Sequence, residues 1–284
     1  MTEAAKSMAR NFERTQLKKL DEAGCLDMAW PISITAQTVG SSAEQSMRTG
    51  NDEDESHICT KLIHFQRHGQ GYHNLIGEMY RDFLGRPIDL DDKDPAMNPF
   101  LREEMLDAPL TEKGRQECAA RRTQGAMLSP QVMIVSPLLR AIQTAMLSFG
   151  DHADTVDWIA HEGAREQTGL LQCNKRRTRT EAAQEFPHVD FSTLQDDDDV
   201  MWQPDARESP KDETQRIYEF LTDFIMKRPE DELAIVGHSA WLFSMCNAVI
   251  DCGEAQELRS IFQTSEIRTM RLSFYKTEES PALQ

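Results

Sequence analysis

Apolar residues fall in short unbroken runs along most of this chain, and each run stops at a polar or glycine-bearing stretch. KLIHFQ (Lys61 to Gln66), QVMIVS (Gln131 to Ser136), TVDWIAH (Thr155 to His161) and ELAIVGH (Glu232 to His238) have continuous apolar centres. Runs of this kind predict strands covered on both faces. Arg268 to Tyr275 alternates instead and predicts a fifth strand. Helical patterns lie between the strands. Thr111 followed by Glu112 predicts a capped helix start, with an acid at the positive end of the dipole, in a helix running to about Leu128. Pro137 begins another helix through Ser148, Asp212 to Lys227 is amphipathic, and Ser239 opens one more. Strands alternating with helices predict an α/β fold, a three-layer α/β/α sandwich with a mostly parallel central sheet. In such sheets ligands bind beyond the carboxyl ends of the strands.

The pattern is not uniform along the chain. Residues 1–57 read as an N-terminal extension, partly flexible, with a charged helix over Met1 to Ala23 and a linker-like stretch from Gln37 to Ser56. Residues 58–284 read as the main domain. The segment of about 72–109 within it is rich in acids and prolines, which predicts an irregular, lid-like insertion.

Composition narrows the classes of function. The formal charge of -17 over 284 residues argues against nucleic acid or an anionic membrane as a general partner. The acidic runs NDEDES (Asn51 to Ser56) and DDDD (Asp196 to Asp199) read as solvated loops. The six cysteines form no CxxC pair, so a zinc ribbon or thioredoxin-like site has no support. The first residues lack an apolar core of the secretory kind, and no stretch approaches the ~20 apolar residues of a membrane span. Reduced thiols and a cytoplasmic location, with a nuclear one as the alternative, follow as expectations. Oligomerisation is possible but has no support in the sequence.

The candidate chemistry sits at the predicted strand ends. Arg67-His68-Gly69 follows the first strand, Ser136-Pro137-Leu138-Leu139-Arg140 the second, and Gly237-His238-Ser239 the fourth. Two guanidiniums offer planar forks that match phosphate oxygens. An imidazole whose Nδ1–H is held by a backbone carbonyl keeps Nε2 free to attack phosphorus. A second imidazole adds donors for the transferring group. Gly69 is expected to let backbone approach the anion, and Asn74 to donate a further hydrogen bond. Fixed cations neutralise the developing charge, so neither Mg²⁺ nor any other cofactor is called for. A zinc site built from His64, His68 and His73 is the competing reading. It lacks the HExxH spacing, and His64 lies inside the strand.

LIHFQRHGQGYHN, LTEKG, SPLLRAIQTA, AREQTG and AIVGHSAWL together resemble the histidine phosphatase superfamily, also called phosphoglycerate mutase-like, from about Lys61 to Tyr275. REQTGLLQCNKRR, FPHVDF and DDDDVMWQPDARE are similar to its plant and fungal phosphoglycerate mutase-like branch. The resemblance implies that His68 is the phosphorylated nucleophile, that Arg67 and Arg140 grip the phosphate, and that His238 completes the pocket. It also implies an acid that protonates the leaving oxygen. Glu166 in AREQTG is the choice and Glu162 the rival. The activity implied is a metal-independent phosphomonoesterase on a small anionic phosphorylated metabolite. Mutase-type transfer is the alternative, weakened because AREQTG departs from the NERHYG loop of cofactor-dependent mutases. A non-catalytic partner-binding protein on the same scaffold is a further alternative. Lys175, Arg176, Arg177 and Arg179 then admit two readings: capture of a second anionic group, or charges that meet Glu181, Glu185 and the later acidic run.

Overall fold

A computed structural model describes residues 3–39 and 55–277. Among them, in chain order, are α1 (Glu3–Glu22), β1 (Ile32–Thr38), β2 (His57–Arg67), α2 (Tyr72–Leu84), α3 (Glu112–Ala119), α4 (Arg122–Ala126), β3 (Val132–Val135), α5 (Leu139–Phe149), β4 (Asp157–Ala160), α6 (Arg179–Glu185), β5 (Val189–Asp190), α7 (Pro210–Glu219), β6 (Glu232–Gly237), α8 (Ser239–Ser244), α9 (Gln256–Arg259) and β7 (Ile267–Lys276). The strands form one sheet in the order β1-β7-β2-β6-β3-β4-β5. β2, β6, β3, β4 and β5 run parallel, and β7 is antiparallel to both β2 and β1.

The period-two geometry of the strands explains the layers. Ile63, Phe65, Ile134 and Ile235 project to one face and pack with Ile217 of α7 and Trp241 and Leu242 of α8. Their neighbours Met133, Val135, Ala234 and Val236 project to the other and pack with Ala141, Ile142, Ala145 and Phe149 of α5 and Ala182 of α6. The chain is therefore a three-layer α/β/α sandwich around a mostly parallel sheet. α7 and α8 each run on as π-helical turns, Phe220–Ile225 and Met245–Val249.

Several elements differ from the sequence expectation. β1 falls within the stretch taken as an extension. Its Ile32, Ile34 and Ala36 are buried in the α7 and α8 layer, and the whole strand pairs with β7. Its alternation over seven residues is short, and partner β7 lies at the far end of the sequence. Most of the predicted linker, residues 40–54, and with it most of the NDEDES run, lies outside the described residues. The insertion opens with a regular helix, α2, which ends at Gly85 in the left-handed region (φ 63°). The prolines and most of the acids that suggested irregularity lie after Leu84, where two 3-10 turns occur. The helix expected to reach Leu128 is split into α3 and α4.

The DDDD run is only partly a solvated loop. Asp196 to Asp198 are exposed, but the Asp199 side chain is 0% exposed and holds Arg165, itself 0% exposed, through contacts of 2.6 and 2.8 Å. Arg165 needs a partner there because an unpaired buried charge is very costly. Arg176 threads the same loop, donating to the carbonyls of Asp196, Asp197 and Asp198.

Candidate active site

Register brings the predicted groups together. In the parallel ladder Arg67 lies opposite Gly237, and Val236 opposite Val135. The next residue of each chain is His68, His238 or Ser136, so all three leave the sheet at one edge. His68 N–H donates to Gly237 O at 3.0 Å, and Ser136 N–H to Val236 O at 3.0 Å, which extends the ladder into the site. The His68 and His238 ring centroids are 5.1 Å apart.

His68 is buried, and its Nδ1 lies 2.6 Å from Gly69 O. A carbonyl only accepts, so Nδ1 carries the proton and Nε2 holds the lone pair. Gly69 is held in turn: its N–H donates to Thr144 Oγ1 at 3.0 Å, and that hydroxyl donates to Arg140 O at 2.8 Å. The loop after β2 and the helix carrying Arg140 are thereby tied to one side chain. The reason for Gly69 differs from the expectation. A Cβ there would lie 2.6 Å from Cys118 Sγ and 2.7 Å from Gly114 O, so the glycine makes room for α3. Any approach of backbone to an anion is secondary to that contact.

Arg140 enters from the first turn of α5, whose start is fixed by buried Asp107 accepting from Leu139 N–H at 2.8 Å. Its guanidinium donates to Cys173 O at 2.6 Å and Asn174 Oδ1 at 3.0 Å, while Nε has no partner. Arg67 donates to Phe262 O at 2.7 Å and likewise leaves a buried Nε unpaired. Both forks are anchored at one end by carbonyls and remain cations of unspent donor capacity.

Electrostatics follow from this crowding. Burial first, and then Arg140, hold His68, His73 and His238 well below the usual histidine range. Three neutral imidazoles therefore share the pocket. His238 Nε2 lies 2.8 Å from Ser136 Oγ, and its buried Nδ1 has no partner. His73 entered the sequence reading only as a member of the competing zinc set. It belongs to α2, its ring centroid is 5.3 Å from that of His68, and its Nδ1 is buried and unpaired. The spacing RHGxxxH held the signal, but a helix start could not be seen within a segment read as irregular.

Glu166 meets the N-terminus of α8. Its carboxylate accepts from Trp241 N–H at 3.1 Å and Ala240 N–H at 3.3 Å. Burial disfavours the cationic forms of Arg67 and Arg140, and the Glu166 charge is among those that oppose this. The rival Glu162 is committed elsewhere, to Arg165 at 3.0 Å and Arg176 at 2.8 Å. Asn74 is a helix cap: its Oδ1 accepts from Gly71 N–H at 3.0 Å. His64, the third member of the competing zinc set, has Nδ1 on Thr269 and Nε2 on Glu232, both at 2.9 Å, and lies within β2 away from His73.

The basic cluster is mostly consumed by structure. Arg177 pairs with Asp107 at 3.2 Å and Glu185 at 2.5 Å, and Arg179 donates to Leu194 O at 2.9 Å. Arg176 serves the acidic loop, and Lys175 lies over the Trp202 ring at 4.6 Å.

The family model described as the histidine phosphatase superfamily, branch 1, matches residues 101–279, more than half of the chain. The chain belongs to the histidine phosphatase superfamily. The match begins after the Arg67-His68-Gly69 stretch, so the geometry above is what joins that stretch to the matched region. A phosphoglycerate mutase-like protein of Arabidopsis thaliana is 34% identical over 247 residues, covering 75% of this chain and 84% of the relative. A probable phosphoglycerate mutase of Arthroderma benhamiae is 26% identical over 216 residues, covering 72% of this chain and 63% of the relative. Among solved structures, the alpha-ribazole phosphatase from Shigella flexneri superposes with a TM-score of 0.48 at 16% identity, covering 78% of this chain and all 100% of its own. Membership of this superfamily supports an enzyme of the phosphatase or mutase type.

Proposed function

We propose that this protein is a phosphomonoesterase that works through a phosphohistidine at His68, without a metal, on a small anionic phosphorylated metabolite. The observation that carries the reading is the 2.6 Å contact from His68 Nδ1 to Gly69 O, which presents Nε2 as a base-form nucleophile. Arg67 and Arg140 orient the phosphoryl oxygens and neutralise the charge that spreads over them in the transition state. Nε2 forms the P–N bond as the P–O bond to the alcohol breaks, and the departing oxygen takes a proton from Glu166. Water then gives its proton back to Glu166 and attacks phosphorus, and the P–N bond breaks to release inorganic phosphate. His238 and Asn74 donate to the remaining phosphoryl oxygens. Burial and then Arg140 lower His238, and a bound dianion offsets the Arg140 charge, so the cationic form of His238 is less disfavoured once phosphate is held.

The insertion at residues 72–109 serves as a lid in this reading. α2 brings His73 to the pocket, and Ile88, Leu90, Leu101 and Met105 pack with Leu170, Leu171 and Cys173, on the loop whose carbonyl at Cys173 anchors Arg140. Phosphatase is preferred to mutase because the Glu166 loop departs from that of cofactor-dependent mutases. The complete pocket disfavours a non-catalytic scaffold. No helix among the described residues is long and apolar enough to cross a membrane, and a cytoplasmic or nuclear location fits the six free cysteines.

The test is hydrolysis of nitrophenyl phosphate at mildly acidic pH in EDTA. Wild type turns over, and His68→Ala is slower by about 10³-fold or more, because removal of a covalent nucleophile removes the pathway. Acid quench of wild type traps an acid-labile phosphoprotein that the variant lacks. Equal rates for the two proteins sink the proposal.

A further inference from the structure

His73 is the second imidazole beside the nucleophile, and nothing in the reaction as written above uses it. Its ring lies 5.3 Å from that of His68, at a tilt of 58°. Its Nδ1 is buried and has no hydrogen-bond partner, and no bond to its Nε2 occurs among the described residues. A buried, unsatisfied ring nitrogen costs roughly 1–3 kcal/mol and calls for an explanation. The other unpaired buried nitrogens close to it, Arg67 Nε, Arg140 Nε and His238 Nδ1, all belong to groups gathered around one point.

The chain also spends a glycine on this ring. A Cβ at Gly71 would stand 2.7 Å from both His73 Nδ1 and His73 Cε1, and 3.5 Å from Arg140 Cδ. The Nδ1–Cε1 edge of the imidazole therefore lies against bare backbone, alongside the Arg140 stem. Gly71 has φ of -89° and needs no left-handed freedom. Its lack of a side chain is explained by space for His73. The first turn of α2, capped by Asn74 on Gly71, holds the ring in that position.

We propose that His73 is a further catalytic residue, whose buried ring nitrogen donates a hydrogen bond to an oxygen of the phosphoryl group held between His68 and Arg140. This rests on the phosphohistidine reading above and deepens it. The imidazole adds a neutral donor on the α2 side of the pocket, facing His68 and Arg67 from the end of β2, Arg140 from α5 and His238 from the start of α8. Because α2 begins the insertion, the donor links the position of that helix to the reaction. A pentavalent oxyanion gains more from such a donor than the ground-state ester does, so the effect falls on kcat as well as KM.

Three variants and two measurements test this. Vanadate affinity, from inhibition and calorimetry, reports the pocket's grip on a phosphoryl-like anion. Steady-state kinetics report the reaction. His73→Phe keeps an aromatic ring, slightly larger, and removes the donor, and is expected to lose about tenfold to a hundredfold in kcat/KM and in vanadate affinity together. His73→Asn places an amide where Nδ1 stood and is expected to stay within about threefold of wild type. Gly71→Ala displaces the ring, and is expected to match His73→Phe while adding little in the double variant. Thermal midpoints within a few degrees of wild type keep the comparison on folded protein. Wild-type rate and vanadate affinity in His73→Phe would overturn the inference, as would equal losses in His73→Phe and His73→Asn. If wild type itself neither turned over nitrophenyl phosphate nor bound vanadate, the phosphatase reading would fail first and this inference with it. Vanadate binding by wild type that is indifferent to residue 73 would overturn this inference alone.

Discussion

At the residue scale, the chemistry depends on which lone pair or proton each side chain is left with. The Gly69 carbonyl settles this for His68, and Ser136 engages one nitrogen of His238. Glu166 is poised by two backbone N–H groups at the start of α8, and Glu162 is spent on Arg165 and Arg176. The acid role of Glu166 makes a prediction that a merely structural role does not. Glu166→Gln is expected to lose about 10²-fold or more on an alkyl phosphate and only about tenfold on nitrophenyl phosphate, whose leaving oxygen needs no proton. Rates on a series of esters ordered by leaving-group pKa check this, and an equal loss across the series rules it out. Arg67, His68, Arg140 and His238 were legible in the sequence because residue type and position after an apolar run carry their chemistry. Thr144 was not, since a threonine within a helix has no distinctive local pattern, and His73 was met only as a member of a zinc set. Gly69 was legible as a tight position, but its neighbour, α3, lies more than forty residues on, and only packing reveals it.

At the element scale, the loop after β4 and the acidic run before α7 act as one unit. Arg165 is locked to Asp199 and to Asn174 O at 2.7 Å, and Arg176 gathers the carbonyls of the run. Asn174 in turn receives Arg140 on its side chain, so the Arg140 guanidinium is supported through this network. Asp199→Ala leaves Arg165 charged and buried without its bidentate partner. It is expected to cost about 3–5 kcal/mol of stability, measured by urea unfolding. Asp198→Ala, one residue away on the exposed side of the run, is expected to change stability by less than about 0.5 kcal/mol. Similar values for the two would show that Asp199 is not a structural anchor. Charge counting could not separate these two aspartates, because burial depends on where Arg165 comes to rest.

At the scale of the whole molecule, one group the proposed reaction does not use makes folding itself depend on pH. Glu213 in α7 is 3% exposed, accepts from Ser244 Oγ at 3.2 Å and has an unpaired Oε1. Burial first, and then the nearby Glu166, push its carboxyl up to about 8 from an ordinary 4.5. The folded chain therefore holds a proton that the unfolded chain releases between those two values. Stability from this group is fully present below about pH 4.5 and is lost as pH rises through about 8. Glu213→Gln cannot ionise. It is expected to match wild type near pH 4.5 and to gain on it by up to about 1.4 kcal/mol per pH unit toward pH 8, read from urea midpoints. A constant difference across that range would refute the assignment. The same scale shows what belongs to each source of information. Apolar runs and turn residues determined the layered α/β architecture, and two arginines and two histidines at strand ends suggested the candidate chemistry, because these are properties of neighbours along the chain. The edge strand β1, the approach of His73 on α2 to His68, the pairing of Asp199 and the burial of Glu213 were decided only by the tertiary structure. Each arises from groups far apart in sequence, and their energies come from the water they exclude from one another.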